Sequence, residues 1–293
     1  MVELDLNALR HTRATDPDAV ARALAARVRR PITAGDGKLM IIAADHPGRG
    51  ALGVGPNAGA MADREELLRR LATALEKPGV DGVLATADII DDLALLGFLD
   101  NKIVVGSMNR GGLRGASFEM DDRFGAYTIE SLVQANLDFA KTLTRINMSD
   151  AGSLSTLMAT AQAVNEAAAA KLPIMLEPFM SEWVDGQVHN VLTAEAVIQS
   201  IAIVSALGAS SAYTWLKIPA VPNMEAVARS TTLPIVILGG DTGEGAPAPY
   251  EQWREAMELP GVKGLVVGRS LLYPADGDVD AAIDQAVDIV HGS

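Results

Sequence analysis

The 293-residue chain contains no cysteine, which excludes disulfides, thiolate nucleophiles and Cys-ligated zinc. Histidine is scarce as well. The four, His11, His46, His189 and His291, form no pair at i, i+4 spacing and no His/Asp cluster on one strand, so no metal site is expected. Only His46 falls near the site assembled below. Positive charge is short: 24 Lys and Arg stand against 37 Asp and Glu, a net charge of −13. That balance argues against nucleic acid or an anionic membrane as a bulk partner, and any anionic substrate must be held by a local basic group. The longest apolar region, Ala194 to Ala212, carries Glu195 and Gln199 and does not read as a membrane span. The first ten residues lack the basic start and apolar core of a signal peptide, so a cytoplasmic location is expected. Gly50-Ala-Leu-Gly-Val-Gly55 lacks the strand–turn–helix context of a dinucleotide fingerprint, and no cofactor is expected.

What is present is an alternation. With 49% hydrophobic and 21% charged residues the chain reads as globular, and its length exceeds the ~250 residues of a typical parallel α/β barrel. Strand-length apolar runs occur at Leu39–Ala44, Gly82–Thr86, Ile103–Ser107, Thr144–Met148, Ile174–Phe179, Ala212–Ile218, Ile235–Gly239 and Gly264–Gly268. Helical patterns follow each run: Asp63–Glu76, Ile89–Leu99, Ile129–Thr142, Leu154–Lys171, Ala194–Leu207, Met224–Ser230, Tyr250–Leu259 and Val279–Val290. Eight such units predict one α/β domain, a (β/α)8 TIM barrel over 1–293. Residues 1–37 form a helical extension, with a helix over 15–30 lying under the barrel. The competing architecture is an open doubly wound sheet.

Lys217 breaks the apolar segment Tyr213-Thr-Trp-Leu-Lys-Ile-Pro219 at the end of the sixth strand. The other lysines, Lys38, Lys77, Lys102, Lys141, Lys171 and Lys263, fall where helices end or strands begin, as expected of solvated ammoniums. In a barrel the C-terminal strand ends carry the chemistry, and a desolvated lysine there is a candidate Schiff-base nucleophile. Asp45 closes the first strand, Arg145 lies in the fourth and Glu177 near the end of the fifth. Arg145 would depress the lysine pKa, and Asp45 and Glu177 would transfer protons. Period-2 alternation places Trp215 on the same face as Lys217, and His46 follows Asp45, so both are candidate substrate contacts. Strands seven and eight end in Ile237-Leu-Gly-Gly-Asp241 and Val267-Gly-Arg-Ser270. Gly239, Gly240 and Gly268 would admit a phosphate close to the backbone, with Arg269 supplying charge. Two long loops, Asp45–Ala62 and Met108–Tyr127, flank the same rim; the second contains Arg110, Arg114, Asp121, Asp122 and Arg123, which also read as solvated ion pairs.

These residues resemble the class I aldolases of the deoxyribose-phosphate, archaeal-type fructose-bisphosphate and tagatose-bisphosphate aldolase superfamily. The carriers are Asp45-His46-Pro47-Gly48, Leu176-Glu177-Pro178, Lys217, Gly239-Gly240 and Gly268-Arg269, in order over about residues 38 to 290. The resemblance implies that Lys217 forms the imine, Asp45 hydrogen-bonds the substrate, Glu177 assists proton transfer, and Gly240 with Arg269 holds a phosphate. The loops Gly106-Ser-Met-Asn-Arg-Gly-Gly112 and Asp121-Asp-Arg-Phe124 are similar to a subgroup associated with sugar or myo-inositol catabolism. That similarity implies 6-phospho-5-dehydro-2-deoxygluconate as substrate, cleaved to dihydroxyacetone phosphate and malonate semialdehyde. The expected partner is therefore a phosphorylated sugar or sugar acid, and the expected assembly a homo-oligomer. Two rival readings stay open: a metal-dependent lyase or isomerase on the same barrel, and a catalytically silent sugar-phosphate-binding barrel.

Overall fold

A computed structural model describes residues 3–33, 35–109, 111–240 and 249–292. Its strands are β1 (Leu39–Ala43), β2 (Gly82–Ala85), β3 (Ile103–Ser107), β4 (Phe139–Ile146), β5 (Ile174–Val184), β6 (Gln187–Asn190), β7 (Thr214–Pro219), β8 (Ile235–Leu238) and β9 (Val262–Val267). Its α-helices are α1 (Leu6–Thr15), α2 (Ala19–Ala26), α3 (Arg64–Glu76), α4 (Ala87–Leu95), α5 (Ile129–Gln134), α6 (Gly152–Ala170), α7 (Ala194–Ser205), α8 (Met224–Arg229), α9 (Tyr250–Met257), α10 (Arg269–Leu272) and α11 (Val279–His291). Among the described residues, no helix is long and apolar enough to cross a membrane.

Eight strands pair in parallel in the order β1-β2-β3-β4-β5-β7-β8-β9, and β9 returns to β1, so the sheet closes into a (β/α)8 barrel. Both faces of each strand are covered, which is why β1 reads as the unbroken apolar run Leu-Met-Ile-Ile-Ala. One apolar layer lies between sheet and helices. The other fills the barrel, with Leu39, Ile41, Leu84, Phe139, Met175 and Val236 at its centre. Helix starts are set by local chemistry: the Asp63 carboxylate accepts from Glu66 N at 3.1 Å to open α3, and Thr128 with Ser131 forms a capping box at α5.

The extension and the fourth unit differ from expectation. Instead of one helix over 15–30, two short helices flank Asp16-Pro17-Asp18, because the proline ring cannot continue α1. The chain then runs beneath the barrel, where Arg27 meets Asp138 at 3.0 Å, Arg30 meets Asp81 at 2.5 Å and Ile32 packs on the interior cluster. In the fourth unit α5 stops at Gln134, and Asn136 turns the chain with φ 54°. Strand β4 begins at Phe139, five residues before the predicted start, and thus takes in Lys141.

Beneath the barrel, His291 ends α11 with Nδ1 2.8 Å from Asp36 Oδ2 and Nε2 3.1 Å from Asp81 Oδ2. The hydrogen bond to Asp81 is the largest cause that raises its pKa above 6.5; burial opposes it and Asp36 adds to it. A raised histidine pKa stabilises the fold fully below 6.5 and loses that contribution as pH rises through the folded value. His291→Asn is therefore expected to lower Tm clearly near pH 6 and much less near pH 9. Melting curves across that range check it, and a gap independent of pH would refute the linkage.

Candidate active site

Strand register stacks the inward side chains in layers. Lys141, Met175 and Trp215 lie at one level, Leu143 pairs with Glu177 at the next with Lys217 beside it, and Arg145 pairs with Phe179 above them. The upper two layers, with the Lys141 side chain reaching up from the lowest, open into a cavity of about 540 Å³ at the C-terminal strand ends, a size that suits a small metabolite. Asp45, His46, Lys141, Arg145, Glu177 and Lys217 line it. So do Gly239, Gly240, Gly268 and Arg269 from the ends of β8 and β9.

At the floor, the two oxygens of Glu177 receive two ammoniums: Lys217 Nζ on Oε1, and Lys141 Nζ at 2.5 Å from Oε2. Lys141 also reaches Asp45 Oδ2 at 3.0 Å, where Ser107 Oγ donates at 2.8 Å. Side-chain exposures of 3%, 6% and 10% for Lys141, Lys217 and Glu177 put the whole chain of charges out of bulk water. Burial and the charges inside the chain therefore compete in their titration. For Lys217 burial prevails and, with the charge of Lys141, moves the pKa below 10.5 against the pull of Glu177. For Lys141 the carboxylates of Asp45 and Glu177 outweigh burial and hold the pKa above 10.5. Glu177 is buried yet kept at about 2 by the two lysines. The arrangement keeps one lysine charged and lets its neighbour lose a proton.

Lys141 is the residue that sequence reading misplaced as a helix-end lysine. It is the cation beside Lys217, a place that had been given to Arg145. The guanidinium of Arg145 sits a layer higher and is held by Glu119, with Nη1 2.5 Å from Oε1 and Nη2 3.1 Å from the backbone oxygen. Trp215 does not reach the cavity; it lies a layer below Lys217 and packs edge-on against Phe139, with centroids 5.4 Å apart. His46 does line the cavity. Burial first, then the charge of Arg269, pull its pKa down to about 4, which leaves the ring neutral at pH 7. Gly268 is required by packing, since a Cβ there would run into the backbone oxygen of Ala43, while Gly240 sits at φ 71°. Arg110 and Asp241 lie outside the described residues.

A second feature went unread. Strand β5 continues past the barrel and turns at Asp185 (φ 50°) and Gly186 (φ 76°) into antiparallel β6, so Gln187, His189 and Asn190 line the cavity mouth. His46 is thus not the only histidine there. The Asp-Gly pair between Trp183-Val184 and Gln187-Val188 is the signal that marks such a hairpin. Among the described residues, no three His, Asp or Glu side chains group as a metal site.

Comparison with known proteins places the chain. The solved structure of Cgl0159 from Corynebacterium glutamicum matches with 61% identity over 98% of this chain and 97% of that one, at a TM-score of 0.95. A Schiff-base-forming fructose-1,6-bisphosphate aldolase superposes at a TM-score of 0.61 with 19% identity, over 93% of this chain and all of that one. An archaeal fructose 1,6-bisphosphate aldolase does so at 0.61 with 18% identity, over 94% and 100%. At those identities the likeness is one of fold. No curated protein matches the chain. The family model described as Cgl0159-like matches residues 37–287, and the chain belongs to that family.

Proposed function

We propose that the protein is a class I aldolase that cleaves a phosphorylated keto sugar or sugar acid through an imine on Lys217. The observation that carries this reading is the buried Lys141–Glu177–Lys217 array on the floor of an open cavity, in which Lys217 has a lowered pKa. The neutral Nζ attacks the keto carbon, and the surplus ammonium proton passes to the new alkoxide by way of Glu177. The carbinolamine then loses water, with its proton again delivered through Glu177, to give the iminium. Breaking the bond between the α and β carbons sends its electron pair to the iminium as an enamine. The hydroxyl on the departing carbon gives its proton to Asp45 and leaves as an aldehyde. Asp45 returns that proton to the enamine carbon, and addition of water to the resulting iminium releases the ketone, gives back the proton taken up at dehydration and restores Lys217.

Gly239, Gly240 and Gly268 with Arg269 would hold the phosphate, since they line the same cavity and a neutral His46 beside Arg269 leaves room for an anion. Within the class, 6-phospho-5-dehydro-2-deoxygluconate is the substrate that the loop similarity favours. Borohydride added with dihydroxyacetone phosphate is expected to leave a reduced adduct on the Lys217 peptide, read by mass spectrometry. Turnover of a ketose phosphate with no adduct at that lysine would overturn the reading.

A further inference from the structure

The cavity has a second cationic pole. Arg145 on β4, Arg49 in the 3-10 turn His46–Arg49 and Arg114 in the loop after β3 all line it. Counted around the barrel, β4 is the fourth strand and β9 the eighth, so Arg145 and Arg269 stand on opposite sides of the mouth. Strand β7, which carries Lys217, is the sixth and lies midway between them.

The charges at this pole do not cancel. Glu119 holds Arg145, and Asp122 with the Gly112 oxygen at 2.5 Å holds Arg49. Three guanidiniums against two carboxylates leave one net positive charge, in a chain whose net charge is −13. Arg145 has a side-chain exposure of 7%, and its Nε has no hydrogen-bond partner among the described residues. Burial, and then the neighbouring charge of Arg49, lower the pKa of its guanidinium. A buried donor is costly to leave unpaired, and an acceptor on a bound ligand would complete this one. The hairpin residues His189 and Asn190 line the same mouth.

We infer that Arg145, Arg49 and Arg114 form a subsite for a terminal oxyanion, carboxylate or phosphate, at the substrate end remote from Arg269. The substrate then carries negative charge at both ends and its ketone between them, at Lys217. The inference rests on the imine reading above and deepens it. It also explains how a chain so acidic attracts a dianion: the two poles are local and face one cavity.

Three ketones test it by borohydride trapping at Lys217: 4-oxoheptanedioate, with a carboxylate at each end, levulinate with one, and uncharged 4-heptanone. The diacid is expected to trap at a concentration about tenfold lower than levulinate, and levulinate below 4-heptanone, each charged hydrogen bond contributing about that factor. Arg145→Lys, which keeps the charge but loses Nε, and the exposed Arg114→Gln should each weaken trapping of the diacid, the first by about tenfold, and leave 4-heptanone unchanged. Equal trapping of diacid and levulinate, unmoved by either substitution, would overturn the subsite while the imine stands. If no ketone is trapped, the imine reading fails on its own. Calorimetric binding of heptanedioate, which lacks the ketone, then decides: weakening by Arg145→Lys supports the subsite, and indifference to both substitutions overturns it. Competition by acetate or by inorganic phosphate tells which oxyanion the pole prefers.

Discussion

Lys217→Met is expected to lower kcat/KM by on the order of 10⁵, the scale of losing a covalent nucleophile, or about 7 kcal/mol of transition-state stabilisation. The loss should appear without loss of the fold. Methionine has nearly the length of lysine and suits a buried position, and Glu177 keeps Lys141 at 2.5 Å, so no carboxylate is left bare. Tm should therefore hold or rise, since a desolvated ammonium has been removed. The wild-type pH profile supplies a second check. Attack needs the free amine, so kcat/KM should climb with pH through the Lys217 pKa, which burial and Lys141 place below 10.5. A variant that keeps more than a tenth of the wild-type rate, correctly folded, would remove Lys217 from the mechanism.

The barrel was legible because strands buried on both faces read as apolar runs of fixed length, and those runs survive any uncertainty about their ends. The fourth unit shows the limit. Leu132, Leu137, Ala140 and Leu143 suit a helical stripe as well as a strand, and only the turn at Asn136 separates the two. Extending the helix to Thr142 hid Lys141 at its end and moved the role of second cation to Arg145. The hairpin was missed for a different reason: β6 is exposed and polar, so burial leaves no pattern there, and the turn residues Asp185-Gly186 are its one strong mark. Asp45, Glu177 and Lys217 were legible as candidates because each is a charge at the end of an apolar run, and the structure brings all three to one cavity. Trp215 shares the face of Lys217 as alternation requires, but alternation does not tell which layer of the barrel interior a side chain fills.

Lys141→Met should separate the two lysines. In the wild type Lys141 is one of the charges that keep the Lys217 pKa low, and its own pKa is held high by Asp45 and Glu177. Without it Glu177 turns wholly to Lys217, whose ammonium becomes harder to deprotonate. The acid limb of kcat/KM is then expected to move to higher pH, with a fall of roughly 10²–10⁴ near neutrality as proton transfer is also disrupted. Stability should drop too, by about 3–5 kcal/mol, since the buried ion pair between Lys141 and Asp45 is broken from one side. Glu177 has a depressed pKa of about 2, so its pairing stabilises the fold above 4.5 and ceases to as pH falls through 2. The Tm gap between wild type and Lys141→Met should accordingly be widest above pH 4.5 and close on acidification. Arg145→Lys is the control, because a residue bound to Glu119 a layer above should leave the acid limb where it was. If that variant moves the limb and Lys141→Met does not, Arg145 tunes the amine, and the pairing of Lys141 with Glu177 is structural alone.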